Sequence, residues 1–96
     1  MKAIAMMLGA LVIGASGLTS PANAASERFC RDYATAALRQ VRVARETHFC
    51  ERGLRDETRW SDDYHVHFDW CRDHSRDDVE AERDARTRYI RECRRH

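Results

Sequence analysis

Residues 27–48, ERFCRDYATAALRQVRVARETH, decide the fold class. Phe29, Cys30, Tyr33, Ala34, Ala37, Leu38, Val41 and Ala44 recur at spacings of one, three and four. That is the period of a helix with one buried face. Arg31, Asp32, Arg39, Arg42 and Glu46 fall on the opposite face. Ser26 stands where an N-cap belongs, because a serine hydroxyl accepts from an orphan backbone N–H. Around Glu51-Arg52-Gly53-Leu54 the period fails, and Gly53 marks the expected stop.

Towards the C-terminus a polar connector leads to Trp60, and Ser61-Asp62-Asp63 reads as a second helix start. Tyr64, His67, Phe68 and Cys71 then share one side, with Trp70 at its edge. Ser75-Arg76-Asp77-Asp78 reads as a third start, for a helix over residues 76–94. Its apolar stripe is thin: Val79, Ile90 and Cys93, with Tyr89 alongside. Glu82/Arg86 and Asp84/Arg88 read as acid-first surface pairs one turn apart. Pro21 is the only proline, and Gly53 the only glycine after residue 17. A sheet with several tight turns needs more of both. The expectation is an all-α, three-helix, up-down-up bundle.

Towards the N-terminus, Met1-Lys2 precedes an apolar run from Ala3 to Leu18, and Ala22-x-Ala24 fits a signal-peptidase site. Residues 1–24 are therefore expected to be a cleaved signal peptide, and residues 25–96 one small domain. The apolar run is short for a membrane span, so no stable membrane insertion is expected after cleavage. No cysteine adjoins the cleavage point to carry a lipid. The reading is an exported protein, periplasmic or secreted. Of 17 basic residues the single lysine, Lys2, lies in the leader, which leaves 16 arginines opposite 16 acids. A zero balance gives no support for nucleic-acid or anionic-membrane binding.

Export places Cys30, Cys50, Cys71 and Cys93 in an oxidising compartment, where an even count in a small domain reads as two disulfides. Zinc sites usually pair cysteines two to four residues apart; here the steps are 20, 21 and 22. Up-down-up order puts the start of helix one beside the end of helix two. It also puts the end of helix one beside the end of helix three. That predicts Cys30–Cys71 and Cys50–Cys93. A Cys30–Cys50 bond would span a helix roughly 30 Å long, beyond disulfide reach.

Phe29-Cys30-x-x-Tyr33-Ala34, then Arg59-Trp60-Ser61-x-Asp63-Tyr64-x-x-His67-x-x-Trp70-Cys71, then Cys93-Arg94, resemble a group of small alphaproteobacterial exported four-cysteine helical proteins. The resemblance covers most of the domain and implies no activity. Cys50-Glu51-Arg52-Gly53 departs from the Cys-Gly of that group. A second likeness, in size, compartment and acidity alone, is to small periplasmic lanthanide-binding chaperones.

The chemistry-bearing segment is residues 62–80. On one continuous helix Asp69, Asp73 and Asp77 would line up one turn apart, a set suited to calcium or a lanthanide. Asp63 with His67 is a second pair, suited to zinc or copper. Three carboxylates leave coordination positions open, so a metal-bridged dimer would follow. The plainer reading is a solvated acidic face balanced by Arg72 and Arg76. His67 reads as a satisfied inward imidazole bonded to Asp63 or a backbone carbonyl, and Trp60 and Trp70 read as core aromatics. Ser26, Ser61 and Ser75 are accounted for as caps, no Cys-x-x-Cys occurs, and no phosphate loop is present. The sequence therefore reads as a non-catalytic exported interaction or envelope-associated module, with an unknown protein partner and no cofactor. Metal binding or trafficking through residues 62–80 is the alternative.

Overall fold

The computed structural model describes residues 25–95. The expected signal peptide, residues 1–24, lies outside the described residues, as does His96. Among the described residues there are four helices, not three: α1 (Glu27–Glu46), α2 (His48–Glu51), α3 (Tyr64–Arg72) and α4 (Arg76–Cys93). The extra element is a single turn. Thr47 adopts extended backbone and ends α1, its hydroxyl donating to the Val43 carbonyl at 2.7 Å. The chain then coils again to bring Cys50 inward.

Local chemistry sets the other boundaries. Ser26 caps α1, accepting from the Phe29 N–H at 3.0 Å, and Ser75 caps α4, accepting from Asp78 at 3.2 Å. Asp77 and Asp78 occupy the first turn of α4, where the helix dipole favours acids. At α3 the cap is Asp63, not Ser61: its carboxylate accepts from the His65 N–H at 2.9 Å. The Ser61 hydroxyl instead accepts from the Asp63 N–H, fixing the entry to that cap. Gly53 keeps a negative φ, so handedness does not explain it. Room does: a Cβ there would collide with the Tyr89 hydroxyl, which donates to the Cys50 carbonyl at 2.7 Å.

Both expected disulfides form, Cys30–Cys71 and Cys50–Cys93, with Cα separations of 5.6 and 5.1 Å. Cys30 lies in the first turn of α1 and Cys71 in the last turn of α3, so these helices run in opposite directions. Gln40 meets Thr87, and Cys50 meets Cys93 further on, so α4 runs the same way as α1. Each disulfide seeds an apolar cluster. One holds Cys30, Tyr33, Cys71 and Val79, flanked by Phe29, Phe68 and Trp70. The other holds Val41, Ala44, Cys50, Trp60, Ile90 and Cys93, flanked by Leu54 and Tyr89. Between Val79 and Tyr89, α4 supplies no large apolar side chain to the core. Polar groups fill that gap.

Candidate functional site

Arg86 occupies the gap and is fully buried. The sequence reading made Glu82/Arg86 a surface pair, and this is corrected: position 86 faces inward, seven residues after Val79 and four before Ile90. Its Nε donates to Gln40 Oε1 on α1 at 2.7 Å, and its Nη1 donates to the Arg59 carbonyl at 3.3 Å. Nη1 also lies 3.8 Å from the Glu82 carboxylate. The guanidinium sits 5.1 Å from the Tyr33 ring centroid, within cation–π range. Nη2 is buried without a hydrogen-bond partner. Glu82 also takes a fork of two bonds from Arg59, at 2.6 and 3.1 Å. One carboxylate thus ties the connector before Trp60 to α4. The second expected pair, Asp84 with Arg88, makes no ion pair among the described residues.

This buried charge perturbs its neighbours. Burial raises the Tyr33 phenol above the ordinary tyrosine value, while the adjacent Arg86 pulls it down. Burial lowers His67, and the Arg86 charge adds to that, against the raising effect of its bond to the Ser61 carbonyl. That bond, from Nε2 at 2.7 Å, is the carbonyl partner the sequence reading allowed. The Glu82 fork holds Arg59 firmly protonated.

Gln40 connects this interior to the surface. Its amide nitrogen donates to Thr87 Oγ1 at 2.9 Å and to the Arg83 carbonyl at 3.3 Å. Above this seam lies an open groove of about 730 Å³ between α1 and α4. Ala36, Val43 and Ile90 give it an apolar lining, and Val43 is 39% exposed. Arg39, Arg83, Arg91 and Arg94 line it too, against a single acid, Asp84. Their side chains make no ion pair, hydrogen bond or aromatic contact among the described residues. Arg31, Arg45, Arg59 and Arg86 each face a carboxylate, whereas Arg28, Arg42, Arg55, Arg88 and Arg95 also make no ion pair among the described residues, so the groove arginines are set apart by their place around an apolar lining. The sequence reading missed the groove. Its only signal was Val43, an apolar residue on the otherwise charged face of α1.

The candidate metal residues are dispersed by the chain path. Asp69 lies on α3, Asp73 is its C-cap, and Asp77 belongs to the first turn of α4, so the three do not share one helix. Asp63 spends its carboxylate on capping, and the His67 ring nitrogen nearest a partner is held by Ser61. Among the described residues no group of three or more His, Cys, Asp or Glu comes together as a cation cage. No protein-family model, curated protein or solved structure matches the chain. Two disulfides fit an oxidising compartment. No helix among the described residues is long and apolar enough to cross a membrane.

Proposed function

We propose that this protein is a non-catalytic, exported binding module, periplasmic or secreted after loss of residues 1–24. It works by presenting the α1–α4 groove to a protein partner. The observation that carries this reading is the set of four arginines without carboxylate partners around an apolar lining. Acids are abundant in this chain, yet they are concentrated elsewhere. Between Asp56 and Glu80 nine acids stand against three arginines. Charge left uncompensated beside exposed apolar surface is typical of a recognition surface. The Cys50–Cys93 disulfide supports the reading by tying α2, the turn that follows α1, to the end of α4, which helps keep the groove formed before a partner arrives.

A photo-crosslinking residue at Val43, in the cell, tests this. The expected result is a discrete adduct that is absent when the same residue replaces Glu80 and is lost on Arg91→Glu. No adduct at Val43, or the same adducts from both positions, would overturn it.

A further inference from the structure

The arrangement of charge along the groove identifies what it accepts. This step rests on the groove being a docking surface. We propose that the occupant is an acidic amphipathic helix of a partner protein, laid lengthwise between α1 and α4.

Three features of the lining lead there. First, the arginines are spread along the groove. Arg83 on α4 and Arg94, the C-cap of that helix, are 11 residues apart, which is about 16 Å along the helix axis, or three turns. Arg39 stands opposite on α1. A single anionic headgroup would be met by cations gathered at one mouth, with the remaining length left apolar. Distributed cations instead match a ligand whose negative charges also repeat over three turns. Second, the apolar lining comes from Ala36, Val43 and Ile90, with no aromatic among the lining residues. Nucleic-acid strands are held by aromatic stacking platforms, and this groove offers none. Aliphatic lining receives the apolar stripe of a helix, as in helix-in-groove recognition. Third, α1 and α4 run the same way and flank the groove, with Gln40 and Thr87 among its lining residues. A helix seated there would put small apolar residues against the lining. Its flanking glutamates or aspartates would meet arginine on both sides, as charged positions beside the seam of a coiled coil do.

The test uses the oxidised protein and defined probes. The main probe is a fluorescent 18-residue peptide with a leucine and alanine stripe flanked by glutamates. Three controls are its glutamate-to-lysine counterpart, a scrambled glutamate peptide without the stripe, and phosphatidylglycerol vesicles. The striped acidic peptide should bind, and the lysine and scrambled peptides should bind at least about tenfold more weakly. Arg39→Glu and Arg91→Glu should each weaken the striped peptide by a similar factor, with unchanged circular dichroism showing that both variants are folded. Equal binding of the striped and scrambled peptides would overturn the proposal, as would binding that ignores both reversals. Binding to vesicles but not to peptide would reassign the groove to lipid. Low-salt self-association abolished by Arg91→Glu, without peptide binding, would reassign it to a second copy. A Val43 crosslink persisting while the peptide fails would leave the docking surface standing and remove only the acidic helix.

Discussion

The two seams of α1 are built from different chemistry. Towards α3, the seam is closed by a disulfide, by Tyr33 stacked on Trp70 at 6.1 Å, and by Tyr33 edge-on to His67. Towards the middle of α4, it is closed by an amide, a hydroxyl and a guanidinium. The first seam buries the Tyr33 and His67 rings. The second places polar groups at the contact and leaves exposed Val43 and the arginines beside it. A thin apolar stripe on α4 thus has two consequences: the core needs a buried charge, and the surface above that charge stays open.

The largest expected effect comes from removing the covalent staples. Each disulfide closes a loop of just over 40 residues, worth about 4 kcal/mol in the chain-entropy picture. Replacing Cys50 and Cys93 together by serine should release the α2–α4 end, lowering the melting temperature steeply in a circular-dichroism melt. An unchanged melt would mean that the Trp60–Ile90 cluster holds that end alone.

Arg86 comes next and separates the seams most sharply. Arg86→Ala strands Gln40 Oε1 and removes the charge beside Glu82, so it should cost about 3 kcal/mol or more by urea unfolding. Arg86→Met should recover only the part that comes from lost volume, because the thioether fills the cavity but leaves Gln40 Oε1 as stranded as alanine does. If methionine is as harmful as alanine, the polar junction contributes more than its geometry suggests.

His67 tests the α3 side through pH. Its native pKa lies below the ordinary value of about 6.5, so the unfolded chain takes up the proton first. Stability is then full above about pH 6.5 and is lost as the pH falls through the native pKa. Melting temperatures from pH 7.5 to 5 should show that decline. His67→Gln should flatten it, and an unchanged slope would assign the decline to other groups. A smaller effect is expected at Gly53→Ala, where losing the Tyr89–Cys50 hydrogen bond should cost about 1 kcal/mol.

The aromatic seam was legible in the sequence and the polar seam was not. Cys30, Tyr33, Ala34, Ala37, Val41 and Ala44 sit at helical spacing, and all are buried. Cysteine positions and helix order together predicted both disulfides. Arg86 was misread because Glu82/Arg86 is also the pattern of an exposed pair. Only its place in the Val79–Ile90–Cys93 stripe, at steps of seven, four and three, marks it as inward. The Arg59–Glu82 fork joins residues 23 apart, and nothing local encodes it. The line of Asp69, Asp73 and Asp77 needed one continuous helix, but the α3 C-cap at Asp73 and the fresh cap at Ser75 break it. The α1–α4 groove is a property of two helices together, so no single stretch announces it.

If the groove arginines serve recognition, as proposed, the fold should not depend on them. Replacing Arg39, Arg83, Arg91 and Arg94 together by glutamine, followed by urea unfolding of the oxidised protein, tests it most directly. None of the four is ion-paired, so stability should hold within about 0.5 kcal/mol per site or rise slightly as their mutual repulsion is removed. A cooperative loss of more than about 3 kcal/mol would contradict the account and make these arginines part of the scaffold.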